Sequence, residues 1–440
     1  MKTIYRCISL LVVMLHITLY VFAQHYNTET ARKFTELLEK GDYTGASQLL
    51  HAKPPADSAF WAGAWTKFIK NYGHITGEHS IKSDIFGKYD VVYRVVNTEK
   101  KTIKLNYSFE NGQLTGFRYQ PYDTAIQHRE RYTMAASSRN FRFQSGLFSM
   151  SATVVEPKLN QDSLMVVMVH GSGSSDRDES IGGSKVFLDI AQGLATFGIN
   201  SFRFDKRSYV YPEAFGNRSF TVYEESIEDA VSAVNYCHDV LGYSYDNIFV
   251  LGHSLGGMLA PRIADSLGNH IGGIIIMSGN ARPMQNLISD QMRYLYKRDG
   301  LSSDEKKKLK MLDEQLANVD KLETGDAAKN TLGLPFGIPA SYWYDLKNYD
   351  QCKTAAALTI PIMVMQGGRD YQVTTKDFEL WKKALKGKEN VSFWMFNKLN
   401  HLYVSGDEKS YPEEYEKPAN VDFMAIEAIA GWLKEIVNKK

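Results

Sequence analysis

Cysteine is scarce in this chain, and neither sign of charge is in excess. Only 3 cysteines occur among 440 residues, and 51 lysines and arginines balance 50 aspartates and glutamates. So few cysteines exclude the disulfide framework of a small secreted domain. Without a basic excess to neutralise phosphates, nucleic acid is not expected as a partner. The rest is ordinary globular composition, 44% hydrophobic and 23% charged, in a chain long enough for two or three domains.

Motifs for metal and phosphate chemistry are missing as well. The sequence has no HExxH pair, no cysteine pair at zinc-ligand spacing and no GxxxxGK phosphate-binding loop. We therefore expect neither a metal site nor a cofactor. Cys237 lies on an apolar stripe at helical spacing, which predicts a core residue and not a nucleophile.

Residues 1–23 have the pattern of a cleaved secretory signal. Lys2 and Arg6 precede an uncharged, largely apolar stretch of 15 residues, and Val21-Phe22-Ala23 offers small residues at the −3 and −1 positions before Gln24. The stretch is shorter than the ~20 apolar residues that a spanning helix needs. We expect cleavage, with an uncleaved anchor as the alternative, and an exported protein, periplasmic or secreted, without a stable membrane span.

Residues 25–122 predict a small α+β domain. Two apolar helix patterns are followed by three stretches of alternating residues, the last two joined by Asn111-Gly112, which is a strong hairpin signal. Helices followed by antiparallel strands are typical of an α+β unit. Because no cluster of catalytic residue types occurs there, we assign it to packing, dimerisation or substrate access. The polar residues 123–140 predict a linker.

From residue 141 to 440, strand patterns alternate with helix patterns. Apolar stretches of strand length, such as 164–169, are separated by helix-length stretches, three of which end at glycine. This alternation favours the α/β class, a mostly parallel sheet with helices on both faces. Residues 281–345 interrupt it with charged helical sequence. An insertion there would lie over the carboxyl ends of the strands, where open α/β sheets bind ligands, so it predicts a cap.

The segment GHSLGG, residues 252–257, is the sharpest local signal. An apolar strand pattern precedes it and a helix pattern follows. Side chains at Gly252 or Gly256 would collide in a tight strand-to-helix turn, whereas glycines there let the Ser254 hydroxyl project above the sheet. Ser254 is therefore predicted to be a nucleophile. His253 is expected to point away from it and pack within the turn.

A serine hydroxyl needs a base to take its proton and an acid to orient that base. In this architecture the chain order is serine, acid, histidine. Of the 11 histidines, only His401 lies after residue 270, in a loop between the last strand pattern and the closing helix. His401 is therefore the predicted base.

The acid should follow a strand that precedes His401. The strand pattern ending at Met277 leads to no carboxylate, whereas the pattern over 360–366 leads directly to Gly-Gly-Arg and Asp370. Asp370 is the predicted acid. Asp377 and Glu379 are the alternatives, but they fall on the next helix, where a solvated surface position is expected.

A tetrahedral oxyanion needs backbone donors. The first is expected from Leu255, directly after the nucleophile. The second is expected from the oxyanion loop His170-Gly171-Ser172-Gly173, which follows a strand pattern, with the Ser172 N–H as our choice. Asp176-Arg177-Asp178 and Asp205-Lys206-Arg207 also fall at strand ends, as loop salt bridges or as groups that shape this loop.

Six ordered blocks resemble the EstD-type bacterial carboxylesterases of the α/β-hydrolase superfamily. They are HGSGSSDRDESIGG, FRFDKR, GHSLGGMLAPRIA, YWYDLKNYD, QGGRDYQVTTKDFELWKKAL and NHLYV, across roughly residues 141–440. The resemblance implies an α/β-hydrolase fold and hydrolysis of small-to-medium esters through an acyl-enzyme. It places the nucleophile, acid and base on Ser254, Asp370 and His401. Ser174 departs from the proline usual in relatives, and we expect this departure to loosen the oxyanion loop and to affect the rate more than the reaction class.

Residues 25–122 resemble a small cystatin-like domain of unknown function often fused ahead of such hydrolases. A small-molecule ester is the expected partner, and homo-oligomer formation stays open. The same machinery could cleave amides, as a serine aminopeptidase does, or transfer the acyl group to an alcohol. From another class, a catalytically silent binding protein is the alternative.

Overall fold

The computed structural model describes residues 26–51, 57–122, 132–159, 161–216, 219–298, 300–323 and 330–438. The predicted signal sequence, residues 1–23, lies outside these ranges. The chain divides into two compact units, residues 1–125 and 126–440. Within the described ranges, none of the helices combines the length and hydropathy needed to cross a bilayer.

The first unit packs helices against one face of an antiparallel meander. Its elements are α1 (26–39), α2 (Tyr43–Leu49), α3 (Ser58–Tyr72), β1 (Ile75–Phe86), β2 (Tyr89–Thr98), β3 (Thr102–Glu110) and β4 (Gln113–Pro121). Alternate residues of β3 are buried, and the edge-to-face pair of Phe34 and Trp61, with ring centroids 5.2 Å apart, belongs to the same core. The α+β arrangement agrees with the prediction.

The second unit is a sheet of eight strands with helices on both faces. Its strands are β5 (Ala136–Ser145), β6 (Phe148–Pro157), β7 (Met165–Val169), β8 (Ser180–Ile181), β9 (Ser184–Lys185), β10 (Asn200–Phe204), β11 (Ile248–His253), β12 (Gly273–Met277), β13 (Ile362–Gly367) and β14 (Val391–Phe396), of which β8 and β9 form a separate ribbon. Its helices are α4 (Val186–Ala195), α5 (Arg207–Val210), α6 (Glu228–Asp239), α7 (Leu255–Ser266), α8 (Met284–Tyr296), α9 (Ser303–Asp320), α10 (Ala340–Asn348), α11 (Gln351–Ala357), α12 (Thr375–Ala384) and α13 (Phe423–Asn438).

The order of the strands positions the site. It is β5-β6-β10-β7-β11-β12-β13-β14, with β5 and β6 antiparallel and the strands from β10 onward parallel. The chain passes from β7 outward to β10 and returns to the other side of β7 as β11. Ligands of α/β sheets bind at such a switch point, outside the carboxyl ends of the strands. The predicted α/β class is therefore confirmed.

Both faces of the sheet are covered, as its continuous apolar strands require. In β11, Ile248 and Val250 pack in the core that includes α6, α7 and α12, whereas Phe249 and Leu251 pack in the core that includes α4 and α13. Cys237 is buried in the first of these cores, as predicted.

Two edge strands were not anticipated from the sequence. β1 has only one fully buried residue, and β5 begins at Ala136, inside the linker predicted for residues 123–140. Residues 123–131 of that linker lie outside the described ranges. An edge strand with polar residues on its open face does not show the apolar alternation that identifies a strand.

The predicted cap, residues 281–345, contains α8, α9 and α10 between β12 and β13. Asp377, on α12, binds the first two residues of the cap through hydrogen bonds. This carboxylate is fully buried and accepts hydrogen bonds from the Ala281 and Arg282 amides at 3.1 and 3.2 Å, and from the Arg282 guanidinium at 2.8 Å. The expectation that Asp377 is a solvated surface residue is therefore wrong, whereas Glu379 on the same helix is exposed.

Asp377→Ala should lower the free energy of unfolding by about 3 kcal/mol, because it leaves the buried Arg282 guanidinium without its main partner. Glu379→Ala, the exposed neighbour, should change it by less than about 0.5 kcal/mol. Urea denaturation followed by tryptophan fluorescence measures both. Equal stability of the two variants would contradict the anchoring role of Asp377.

Candidate active site

Ser254 occupies the turn between β11 and α7. Its backbone has φ 55° and ψ −117°, a region that a residue with a side chain rarely adopts, and its amide donates to the Met277 carbonyl at 2.9 Å. A Cβ at Gly252 would lie 2.0 Å from the Gly256 oxygen, and one at Gly256 would lie 2.2 Å from the Val169 oxygen. Only glycine fits both positions, so the turn can approach the end of β7.

Asp370 and His401 lie together at the ends of β13 and β14. Asp370 is fully buried, and its Oδ2 is 2.7 Å from His401 Nδ1. Its Oδ1 accepts from the amides of Gln372 and Val373 at 2.8 and 3.0 Å, which fixes the direction of the carboxylate. A carboxylate accepts a hydrogen from Nδ1 and so leaves the lone pair on His401 Nε2 for a proton.

Ser254 and His401 line one cavity of about 490 Å³, together with Gly171 and Ser172. Its remaining walls are mainly apolar and come from the cap and from the segment before α6. The cap side chains include Met284, Leu287, Ile288, Phe336, Trp343 and Leu346. The floor of this cavity is therefore polar and its walls suit an apolar group.

The predicted oxyanion loop, residues 170–173, approaches Ser254 closely. A Cβ at Gly171 would lie 3.2 Å from Ser254 Cβ. The Gly171 amide donates to Glu179 Oε1 at 2.9 Å, whereas the amides of Ser172 and Leu255 donate to no acceptor in the described part of the chain. These two N–H groups are therefore available to a ligand oxygen.

Glycine and histidine shape the rest of this loop. Gly173 has φ 84°, in the region that favours glycine. His170 is buried, and burial lowers the pKa of its ring, which keeps the imidazole neutral. Its Nε2 lies 2.9 Å from the Asp176 carbonyl oxygen, so it donates there and closes the loop on itself.

A buried chain of polar groups joins the oxyanion loop to the cap. Lys206, 2% exposed, donates from Nζ to the Gly171 carbonyl at 2.8 Å and pairs with Glu225 at 2.9 Å. Tyr342 of α10 donates to the other Glu225 oxygen at 2.8 Å. The sequence left two roles open for Asp205-Lys206-Arg207, loop salt bridges or groups that shape the oxyanion loop. Both occur, because Lys206 contacts that loop and Asp205 forms a buried salt bridge with Arg177.

Sequence reasoning missed Glu225 and Glu179 as parts of the site. Glu179 Oε2 lies 2.9 Å from His253 Nδ1, and His253 Nε2 lies 2.9 Å from the His401 carbonyl oxygen. His253 is thus packed in the turn, as expected, but it also contacts the loop of the base. Within the described ranges, no group of three His, Cys, Asp or Glu side chains is arranged to hold a metal ion.

Comparison with known proteins gives a family. Residues 161–405 match the model of the serine aminopeptidase S33 family, Hydrolase_4. Esterase EstD of Thermotoga maritima is 42% identical over 268 residues, which are 61% of this chain and 61% of that protein. The match thus spans less than two thirds of the curated relative. All predicted site residues, from His170 to His401, lie inside the family match.

The solved structures that match this chain share little sequence with it and have low TM-scores. Est1E from Butyrivibrio proteoclasticus has a TM-score of 0.44 at 16% identity, over 68% of this chain and 99% of that chain. The Pyrococcus furiosus esterase Pf2001 has a TM-score of 0.43 at 16% identity, over 71% of this chain and 98% of that chain. The family therefore follows from the sequence match.

Lys206→Met should slow the labelling of Ser254 by a fluorophosphonate at least ~10-fold, because the oxyanion loop loses a contact and Glu225 is left buried without its cation. Lys398→Met, at a side chain that is 76% exposed, is the control and should label at the parent rate. Lys206→Met combined with Glu225→Gln removes the stranded charge and should recover part of the rate. Unchanged labelling of Lys206→Met would contradict this role.

Proposed function

Because the chain belongs to the serine aminopeptidase S33 family of α/β-hydrolases, we propose that it is a serine carboxylesterase for small-to-medium esters. One observation carries the proposal: a histidine held by a buried carboxylate, a serine in a strained turn and the Ser172 residue of the oxyanion loop line a single cavity. The name of the Thermotoga maritima relative, an esterase, agrees with it.

The reaction proceeds through an acyl-enzyme. His401 Nε2 takes the proton of Ser254 Oγ as this oxygen attacks the ester carbonyl carbon. The carbonyl oxygen becomes an oxyanion that accepts hydrogen bonds from the Leu255 and Ser172 amides. The tetrahedral intermediate collapses, and the alcohol leaves with the proton from His401. A water molecule, deprotonated by His401, then attacks the acyl carbon and releases the acid and Ser254.

The two kinds of catalytic group contribute differently. Asp370 keeps the His401 ring in one orientation and stabilises the imidazolium that forms during each proton transfer. Each oxyanion donor strengthens its hydrogen bond as charge develops, and the loss of one such donor costs about 10²–10³ in kcat. Because both donors are backbone amides, their direction depends on the loop and the turn that carry them.

Charge in the cavity favours a neutral substrate. Both carboxylates that line it already accept hydrogen bonds, Glu179 from Gly171 and Glu225 from Lys206 and Tyr342. The α-ammonium of a peptide would have to compete with these partners. The apolar cap walls, in contrast, suit a hydrocarbon or aromatic acyl group. Ester hydrolysis is therefore preferred to aminopeptidase activity.

Ser254→Ala should lower the turnover of p-nitrophenyl esters by at least ~10³-fold, because the acyl-enzyme cannot form. Initial rates over a series of acyl lengths measure this and give the length that fills the cavity best. Ser266→Ala is the matched control, since Ser266 is exposed at the far end of α7 and should leave the rates unchanged.

Other substrates decide among the remaining activities. Ester turnover by Ser254→Ala at the parent rate would overturn the proposal. Faster release of an aminoacyl p-nitroanilide than of the ester would favour the aminopeptidase, and ester products formed with added alcohol would favour the acyltransferase. If Ser254 also failed to react with a fluorophosphonate, the silent binding protein would be the better description.

Export is part of the proposal and is supported by the composition of residues 1–23. When the whole chain is produced in a bacterial host with two membranes, the protein released from the periplasm or medium should begin at Gln24. Ala23→Arg, which places a large charged residue at the −1 position, should leave the precursor uncleaved. N-terminal sequencing measures both, and a cytoplasmic protein that keeps residues 1–23 would contradict export.

A further inference from the structure

His253, the residue before the nucleophile, has an unusual pair of neighbours. Its side chain is 1% exposed, and its two ring nitrogens face Glu179 Oε2 and the His401 main-chain oxygen, each at 2.9 Å. A carbonyl oxygen only accepts, so His253 Nε2 carries a hydrogen. Nδ1 then either donates to a Glu179 carboxylate, which makes the ring an imidazolium, or accepts from a protonated Glu179.

The surroundings of Glu179 favour the charged pair. Its Oε1 accepts the Gly171 amide hydrogen at 2.9 Å, and a hydrogen bond of this kind stabilises the ionised carboxyl. Its backbone has φ 49°, a costly conformation for a residue with a side chain. That conformation places the carboxylate between the oxyanion loop and the nucleophile turn. Glu179 therefore connects two parts of the site at once.

We propose that His253 is a buried imidazolium which, with Glu179, ties the oxyanion loop to the loop that carries the base. His253 and Glu179 are positioning residues, and their effect on turnover rests on the proposed esterase function. Through them the Gly171 amide, the turn of Ser254 and the His401 carbonyl are linked. His401 is thus held at two points, by Asp370 at its ring and by His253 at its backbone.

The negative charge of Glu179 compensates the positive charge of the His253 imidazolium next to His401. The rings of His253 and His401 have centroids 4.7 Å apart, so an unpaired cation at His253 would oppose the protonation of His401 that the reaction requires. The adjacent Glu179 carboxylate balances it. Asp370 also faces His253 from the acid loop, and His170 of the oxyanion loop faces Glu179.

The same contacts make the stability of the His253–Glu179 pair, and with it the turnover rate, depend on pH. Burial lowers the pKa of His253, but the charge and hydrogen bond of Glu179, the hydrogen bond to the His401 carbonyl and the charge of Asp370 together raise that pKa above the ordinary 6.5. The stabilisation from the pair is complete below pH 6.5 and is lost as the pH rises through the raised pKa. His401, in contrast, must be neutral to act as a base. The turnover rate should therefore fall at alkaline pH because His253 loses its proton. This fall is separate from any decrease of the rate at acidic pH.

The first test is spectroscopic and does not depend on turnover. Full-length protein with ¹⁵N-labelled histidine is studied by NMR at pH 7.5, and His253 is identified as the signal missing from His253→Gln. Two protonated ring nitrogens are expected. One protonated and one bare nitrogen would overturn the proposal. Because no ester is involved, a protein without esterase activity would still give this answer, so the two proposals fail separately.

The second test separates charge from geometry. In Glu179→Gln the amide oxygen can still accept from Gly171, while the amide NH₂ donates to a neutral His253 that keeps its bond to His401. This variant should fold as the parent does, show one bare His253 nitrogen, and lose the alkaline fall in kcat. If kcat of Glu179→Gln decreased at alkaline pH as it does in the parent, the assignment of this decrease to His253 would be overturned.

Glu179→Ala tests the link itself. It should lower kcat by about 10²-fold with little change in KM, because it displaces catalytic groups while the apolar cap side chains that line the cavity stay in place. His270→Gln, at an exposed histidine, is the matched control and should keep the parent kcat and pH profile. Parent-like kcat in a folded Glu179→Ala protein would overturn the positioning role.

Discussion

The close approach of the β11–α7 turn to the end of β7 is the constraint on which the rest of the site depends. Backbone atoms fill the space where side chains at positions 252 and 256 would lie, and Ser254 adopts a left-handed conformation. Only this contact brings a serine side chain, the first amide of a helix and the amides of the loop after β7 to one place. Parallel strands then supply Asp370 and His401 from the same edge of the sheet.

Buried charges hold the loops that this contact brings together. Lys206 fixes the Gly171 carbonyl, Glu179 fixes the Gly171 amide, and Asp377 fixes the start of the cap. Each of these side chains is almost fully buried, so it needs a partner and its removal leaves a stranded charge. Loops that carry backbone donors have no core of their own, and paired ions give them fixed positions where apolar packing would not.

Local patterns made much of this arrangement predictable. Glycine spacing around Ser254, the single late histidine and the carboxylate after a strand are all visible within a few residues, and the structure brings Asp370 to His401. Contacts between residues that lie far apart in the sequence could not be predicted from local patterns. Asp377 and Arg282 are 95 positions apart, and His253 and Glu179 are 74 apart. Edge strands β1 and β5 were missed for a different reason, since their open faces carry polar residues.

The cap contributes none of Ser254, Asp370 and His401, which come from loops after β11, β13 and β14. It enters the chain between β12 and β13 and supplies apolar walls to the cavity. The proposed catalytic residues and the apolar walls of the cavity therefore come from separate stretches of sequence. A change in the length or sequence of such an insertion would alter the walls of the cavity and leave the loops after β11, β13 and β14 as they are.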